Sequence, residues 1–155
     1  MANNVKPIPE GYEHVTPYLI IRGASKAIDF YKKVLGAVEA ARYENNGKIG
    51  HAEIRIGRSL IMLADEYPEM NIKSPDSLGG SPVMIHLYVE NVDAVFNHAL
   101  AEGSRILQPL QDKFYGDRAG TLIDPFGHTW SLATHIEDVS PVEMKRRMET
   151  ASKPQ

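Results

Sequence analysis

The chain contains the same order of secondary-structure signals twice. Residues 14–66 and residues 83–136 each predict a strand, an amphipathic helix and then three short strands. The copies are nearly in register, because Met62 lies 69 positions before Ser131. Solenoid repeats have shorter periods, usually of about 20–50 residues. The repeat therefore predicts an α+β fold of two tandem βαβββ modules.

Hydrophobic periodicity places the elements within each module. The first module is predicted to contain a strand over 14–21, a helix over 24–35 and strands over 38–43, 50–56 and 59–64. The second is predicted to contain a strand over 83–89, a helix over 92–101 and strands over 106–110, 120–123 and 129–135. A glycine follows each helix, at Gly36 and Gly103, where a C-cap is expected.

The composition fits one folded domain and excludes several classes of protein. The 155 residues are 43% hydrophobic and 24% charged, which argues against disorder. A net charge of −3 does not suggest a nucleic-acid partner, and no apolar run is long enough for a membrane span. The absence of cysteine excludes disulfides, thiolate metal sites and a cysteine nucleophile. Because the first residues lack the apolar core of a signal peptide, we expect a cytoplasmic protein.

The modules predict how the rest of the chain is organised. We expect an N-terminal arm over 1–11, one domain over 12–138 with a linker at 67–82, and a tail over 139–155 that contains a short helix over 141–148. One helix covers only one face of a four-stranded sheet, so each module needs a complement from the other module or from a second copy. We therefore expect a curved mixed sheet that forms a cup, and a homodimer.

Several motifs together resemble the vicinal oxygen chelate superfamily. They are Ala27–Tyr31 with the following Leu35-Gly36, Val89–Asp93 and Asp124–His128. The superfamily contains glyoxalase I, extradiol dioxygenases, fosfomycin-resistance enzymes and bleomycin-binding proteins. Within it, residues 51–57 and 114–118 resemble the PhnB-like subgroup. The resemblance covers nearly all of residues 12–138 and implies the glyoxalase/bleomycin resistance/dioxygenase fold.

The resemblance also implies where a metal would be bound. Metal-dependent members carry His or Glu at four pocket-facing strand positions, which polarise the vicinal oxygens of a substrate through the ion. The corresponding residues here are Thr16, Met62, Met84 and Ser131. Two thioethers and two hydroxyls are a poor ligand set for Zn²⁺, Ni²⁺ or Fe²⁺. We therefore expect no cofactor and no glyoxalase I activity, which also requires a carboxylate at these positions.

Strand alternation extends the predicted ligand-binding face around these four positions. Its further members are Tyr18, Ala64, His86, Tyr88, Ala133 and His135, together with His51, Glu53 and Arg55. Glu53 is predicted to be the only strand carboxylate on this face. His51, Glu53 and His86 are the candidate catalytic residues, and they are also the ligands of a possible displaced divalent metal site. The structural alternative is that Glu53 and Arg55 pair with each other or with the neighbouring strand.

Three polar residues follow in the second module and Trp130 lies near its end. Tyr115, Asp117 and Arg118 are predicted to lie in a connection, where Tyr115 and Arg118 are candidate ligand contacts and Arg118 would clamp a carboxylate or phosphate. An internal contact between Asp117 and Arg118 is the alternative. Trp130 is predicted to be core, and the methionines of the face are interpreted as adaptable apolar lining.

Three functions are consistent with this sequence. The leading hypothesis is a protein that binds a small organic molecule in the cup without the usual metal. The alternative is a lyase, isomerase or dioxygenase that uses a displaced metal or histidine acid–base catalysis. The third is a structural role in which the chain's own side chains or the N-terminal arm fill the cup.

Overall fold

The computed structural model describes residues 5–151, which form two compact units that divide between Gly79 and Gly80. Each unit contains one four-stranded mixed sheet. The predicted α+β fold with its internal repeat is therefore confirmed. Residues 1–4 of the predicted arm and residues 152–155 of the predicted tail lie outside the described part of the chain.

The first unit follows the predicted βαβββ order. Its elements are β1 (Tyr18–Ile21), α1 (Ala24–Leu35), β2 (Val38–Asn45), β3 (Lys48–Ile56), β4 (Ser59–Asp65), a 3₁₀ turn (Pro68–Met70) and the short α2 (Pro75–Leu78). The strand order is β1-β4-β3-β2, with β1 parallel to β4 and the other neighbours antiparallel.

The second unit repeats this order. Its elements are β5 (Met84–Tyr88), α3 (Val92–Ala101), β6 (Arg105–Asp112), β7 (Asp117–Ile123), β8 (Thr129–His135) and α4 (Pro141–Ala151). The strand order β5-β8-β7-β6 is the same as in the first unit, again with one parallel pair. The helices α1 and α3 begin and end where the sequence predicted.

The start of α1 is fixed by a carboxylate at the end of β4. Asp65 Oδ1 accepts hydrogen bonds from the amides of Gly23 and Ala24 at 3.1 and 2.9 Å, and its Oδ2 accepts one from the amide of Ile49 at 2.7 Å. Amides in the first turn of a helix have no partner within the helix, so a side-chain acceptor there stabilises it. At the other end, Gly36 has a φ of 65°, as the predicted C-cap requires.

The register of the first sheet separates an apolar face from a polar one. Ile21, Ile54 and Leu63 are fully buried, as are the inward residues of α1. On the opposite face Met62 is the cross-strand partner of both Tyr18 and Glu53. The predicted face assignment is thus confirmed for these residues.

The second sheet is divided in the same way. His86 is opposite Ser131, and Tyr88 is opposite Ala133, on the face that α3 does not cover. Trp130 lies on the other face and is 1% exposed, so its prediction as a core residue is confirmed.

Several boundaries differ from the prediction. The 67–82 segment contains the 3₁₀ turn and α2. β1 begins at Tyr18, so Thr16 precedes the strand, and α4 continues three residues beyond its predicted end. β7 begins at Asp117, so Asp117 and Arg118 are strand residues and not part of a connection. Within residues 5–151, no helix is long and apolar enough to cross a membrane.

Candidate functional site

A cavity of about 670 Å³ lies in the first unit, where β1 and β4 end. The sheet forms one side of it, and residues 67–78, called here the wall segment, form the other. The lining residues are Tyr18, Ile20, Gly50, Ala64, Asp65, Tyr67, Met70, Asn71, Ile72, Lys73 and Leu78. The volume lies within the range of about 300–1,000 Å³ that is typical of small-molecule sites.

The wall segment has a fixed backbone conformation. Tyr67 and Ile72 form an antiparallel bridge in which each amide donates to the other's carbonyl oxygen, at 2.8 and 3.1 Å. Asn71 ends the 3₁₀ turn with a φ of 62°, a left-handed conformation that asparagine adopts more readily than most residues. The loop therefore closes on itself through its own hydrogen bonds.

A buried glutamate connects the wall segment to the rest of the first unit. Glu66 accepts hydrogen bonds from Ser77 Oγ at 2.6 Å, from the Ser74 amide at 3.0 Å and from Arg22 Nε at 2.7 Å. These three donors, with Ser77 the strongest, hold the pKa of Glu66 well below its usual value. The carboxylate therefore stays ionised and keeps both ends of the segment in place.

The charged groups at the cavity differ in how far they are satisfied. Asp65 accepts hydrogen bonds from three backbone amides, which stabilise its carboxylate. Lys48 lies over the ring of Tyr67, with Nζ 4.7 Å from the ring centroid, and donates to the Glu66 carbonyl at 3.4 Å. Lys73 is exposed and makes no hydrogen bond or ion pair with the described residues. Its ammonium group is therefore the available charge of the lining.

Tyr18 links the cavity to a chain of polar groups on the same sheet face. Its hydroxyl is 2.8 Å from His51 Nδ1, and His51 Nε2 is 3.1 Å from Glu53 Oε1. The carboxylate also accepts from the Tyr12 hydroxyl, at 3.0 and 2.8 Å to its two oxygens. Because Glu53 only accepts, this network assigns the proton to Nε2, and Nδ1 then accepts from Tyr18.

The protonation states agree with this direction of the hydrogen bonds. The hydrogen bond from His51, supported by that from Tyr12, lowers the pKa of Glu53 against the opposing effect of burial. Burial, with the Glu53 charge, raises the pKa of Tyr18. Tyr18 therefore remains a protonated donor at neutral pH.

Gly11 and Tyr12, where the predicted N-terminal arm meets the domain, contact this polar face. Besides the Tyr12 hydroxyl on Glu53, the Gly11 carbonyl accepts from Arg55 Nη2 at 3.2 Å. The expected pair between Glu53 and Arg55 is wrong, because each side chain is bonded to other groups. No local pattern indicated which residues these contacts join, since Tyr12 lies 41 positions from Glu53.

The positions that the resemblance assigned to a metal carry no ligand set. Met62 and Met84 are thioethers, and Ser131 Oγ is hydrogen-bonded to His86 Nδ1 at 2.9 Å. Among residues 5–151, no group of three or more His, Asp and Glu side chains has the geometry to hold a metal ion. These donors do not fit the divalent ion of the metal-dependent members.

The second unit contains its own polar cluster, on the face that α3 leaves uncovered. Asp117 is 3% exposed and accepts from the Tyr88 hydroxyl at 2.7 Å and from His135 Nδ1 at 2.7 Å. The other nitrogen of His135 is 2.9 Å from Asp138 Oδ1. Nearby, the rings of His86 and Tyr88 meet edge to face, 4.7 Å apart. The prediction that Glu53 is the only strand carboxylate on these faces is therefore wrong, because Asp117 in β7 is a second one.

Arg118 lies on the opposite face of the second sheet. Its guanidinium donates twice to Asp93 at 2.8 Å and once to Asp112 at 3.0 Å. The hydrogen bond to Asp93, followed by that to Asp112, raises the pKa of Arg118 above its usual value. The alternative contact between Asp117 and Arg118 is wrong, because the guanidinium pairs with Asp93 and Asp112 within the unit. The ligand contact of Arg118 stays a prediction. Tyr115 precedes β7, 38% exposed, and packs against Phe114.

Of the residues on the predicted ligand-binding face, Tyr18 and Ala64 line the cavity. His51 and Glu53 adjoin it through the hydrogen-bonded chain. The lining side chains that the sequence did not indicate are Ile20, Asp65, Tyr67, Met70, Asn71, Ile72, Lys73 and Leu78. Alternating apolar residues at Met70 and Ile72, within a segment rich in turn residues, were the available signal.

A model of the glyoxalase/bleomycin resistance protein/dioxygenase superfamily matches residues 11–132. The chain belongs to this superfamily. The predicted resemblance is thereby confirmed.

Relatives and solved structures extend this assignment. An uncharacterised protein of Mycobacterium bovis is 42% identical over 152 residues, which are 96% of each chain. The crystal structure of TioX from Micromonospora sp. ML1 is 26% identical, with a TM-score of 0.61 over 83% of this chain and 100% of that one. A PhnB protein from Bacillus cereus is 24% identical and has the same fold, with a TM-score of 0.62 over 79% of this chain and 98% of that one.

Proposed function

We propose that this superfamily member binds a small organic molecule in the cavity of the first unit. The observation that carries the proposal is the cavity of about 670 Å³, bounded by a wall segment that Glu66 holds in place. A preformed concave site with an apolar lining and few polar groups is typical of small-molecule recognition. The cavity therefore supports the proposal of a small-molecule ligand in the first unit.

We further propose that binding needs no divalent metal at the superfamily's usual positions. Met62, Met84 and Ser131 lie at three of these positions. Their thioether and hydroxyl groups are poor ligands for hard or borderline divalent ions. The ligand would then be held by shape, by burial of apolar area and by hydrogen bonds.

The polar chain beside the cavity supports binding more than proton abstraction. Both ring nitrogens of His51 have partners, and the raised pKa of Tyr18 keeps its hydroxyl protonated. A general base needs a free acceptor within reach of the substrate's proton. The chain instead fixes the orientation of Tyr18, whose ring is part of the lining.

A second candidate function is acid–base catalysis in the second unit. The observation that favours it is the buried Asp117, which orients the half-exposed His135. The other ring nitrogen of His135 contacts the fully exposed Asp138, which a substrate would have to displace. A carboxylate in this position selects the tautomer of a catalytic histidine. Incubating defined mixtures of small carbonyl compounds with the wild type and with His135→Gln tests it: turnover by the wild type alone supports catalysis.

A fragment screen with a matched pair of variants tests the binding proposal. Leu78 lines the cavity and is 65% exposed, whereas Leu107 in β6 is 53% exposed and outside it. We expect aromatic fragments to raise the Tm of the wild type with increasing concentration. Leu78→Ser should weaken their binding several-fold, and Leu107→Ser should leave it unchanged. Fragments that bind both variants equally, or none that bind at all, would contradict the proposal.

A further inference from the structure

We infer that the ligand of this cavity is an organic anion with an apolar body, and that Lys73 contacts its negative group. The inference rests on the function proposed above and names the chemical class of the ligand. It follows from which lining groups are already satisfied and which remain available.

The apolar part of the ligand is indicated by the side chains around the cavity. Ile20 and Ala64 come from the sheet, and Met70, Ile72 and Leu78 come from the wall segment. Met70 and Leu78 are more than 60% exposed, so a ligand that covers them removes apolar area from water. Tyr18 and Tyr67 add two aromatic rings, which suit a planar or aliphatic body.

The negative group of the ligand is indicated by the charged side chains of the cavity lining. Asp65 and Lys73 are the charged members of the lining. Asp65 already accepts three backbone amides and has little capacity for a further hydrogen-bond donor. Lys73 has no partner among the described residues, so its ammonium is available to a carboxylate, sulfonate or phosphate.

A cationic ligand is disfavoured by a second observation. Of the two aromatic rings in the lining, that of Tyr67 already has Lys48 over it, with Nζ 4.7 Å from the centroid. A cation bound beside Tyr67 would therefore meet two ammonium groups and an occupied ring. An anion would meet the same two ammonium groups as attractive charges.

Matched acids and amides test the inference. The probes are 2-naphthoate with 2-naphthamide, and octanoate with octanamide, titrated into the full chain while amide NMR signals of the lining residues are followed. We expect at least one acid to bind about tenfold more tightly than its amide, as a hydrogen bond to a charged group provides. Added salt should weaken the binding of the acid and leave the binding of the amide unchanged.

Two lysine variants locate the charge. Lys73→Gln should remove the preference for the acid while amide affinity is retained. Lys26→Gln, which removes an exposed lysine of α1 outside the lining, should leave the preference intact. Both positions are exposed, so an unchanged Tm is expected for each variant and confirms that they fold.

The outcomes separate this inference from the proposed function. The inference of an anionic ligand is overturned if acid and amide bind equally, if the amide binds more tightly, or if Lys73→Gln keeps the preference. The proposed binding site would still stand in each of these cases. If neither probe of either pair shifts the lining signals, the inference is overturned together with the proposed site. A salt-sensitive preference that only Lys73→Gln abolishes would establish it.

Discussion

At the scale of single residues, buried carboxylates organise both units. Among the described residues, the buried ones are Glu53, Asp65, Glu66, Asp117 and Asp124. Each accepts hydrogen bonds from at least two amide, hydroxyl or ring N–H groups. A buried carboxylate without such donors would be strongly destabilising. Four of them lie at or next to a strand end and Glu53 lies within β3, and their hydrogen bonds fix local geometry that apolar packing leaves open.

Asp124 and Trp130 provide the first test at this scale. The indole Nε1 donates to Asp124 Oδ2 at 2.9 Å, and both residues are at most 3% exposed. Trp130→Phe should lower the free energy of unfolding by about 1–3 kcal/mol, because it removes a donor from a buried carboxylate. Urea denaturation followed by circular dichroism measures this, since the substitution removes the single tryptophan of the chain. A change within about 0.5 kcal/mol, typical of surface sites, would mean that water replaces the bond.

His135 should titrate at a higher pH than an ordinary histidine. The hydrogen bond to Asp117, followed by that to Asp138, raises the pKa of His135 above its usual 6.5. Because the folded-state pKa is the higher one, protonated His135 stabilises the fold fully below pH 6.5, and this contribution is lost as the pH rises through the folded value.

Asp117→Asn tests the cause of that shift. The variant should lower the pKa of His135, measured from the pH dependence of its ring proton signals in NMR. Asp138→Asn is the matched comparison and should have the smaller effect, because Asp138 is fully exposed. An unchanged titration in Asp117→Asn would show that the buried carboxylate is not what holds the proton.

At the scale of elements, the wall segment depends on one side chain. Glu66→Gln keeps the shape of that side chain but removes the charge that Arg22, Ser74 and Ser77 satisfy. We expect the amides of the wall segment to exchange with deuterium about tenfold faster, because charged hydrogen bonds are lost. Glu69→Gln, in the exposed 3₁₀ turn, is the control. Equal exchange in the two variants would contradict this role of Glu66.

The same contact has a defined pH dependence. The folded-state pKa of Glu66 is lowered, so its contribution to stability is present above the ordinary carboxyl pKa of 4.5 and is lost only as the pH falls through the lower folded value. The wall segment should therefore stay in place in mildly acidic solution.

The elements themselves were largely predictable from the sequence. Alternation along β3 placed Ile54 towards α1 and Glu53 on the other face, because only one face of the sheet is covered. The helical spacing of Ile28 and Tyr31 located α1, and Gly36 marked its end. These features follow from local periodicity, which tertiary contacts reinforced.

The parts that were not predicted depend on contacts distant in sequence. Proline, serine and glycine in 67–82 indicated a linker, but the donors to Glu66 give that segment a fixed form. Arg118 was misplaced for a different reason. β7 begins at Asp117, three residues before the predicted start, and alternation then directs Arg118 towards Asp93 on α3. A strand's faces are predictable only once its first residue is known.

At the scale of the whole molecule, the repeat leaves sheet surface that helices do not cover. Met84 and Tyr88 on the second sheet are 53% and 58% exposed in the single chain. Exposed apolar residues of this size commonly mark an interface. The homodimer predicted from the modules therefore stays a prediction. Light scattering during gel filtration should give twice the mass of one chain, and the mass of one chain across micromolar concentrations would contradict it.

The metal content of the whole protein tests the link between the repeat and the chemistry. Each module contributes two of the four positions at which metal-dependent members carry ligands, and here these are Thr16, Met62, Met84 and Ser131. Because none is an imidazole or a carboxylate, we expect untagged protein to contain far less than one divalent metal per chain by elemental mass spectrometry. Treatment with EDTA should leave both its Tm and its binding of 2-naphthoate unchanged.

One bound metal per chain would instead indicate a metal site away from the four usual positions of the superfamily. The displaced ligands that the sequence suggested are His51, Glu53 and His86, of which His51 and Glu53 already bond each other in the first unit. Metal that is lost in His51→Ala but kept in His98→Ala, a change at an exposed histidine of α3, would assign it to that set. It would also turn the function from metal-free binding towards the metal-assisted chemistry of the superfamily, because an ion there would offer open positions to the oxygens of a substrate.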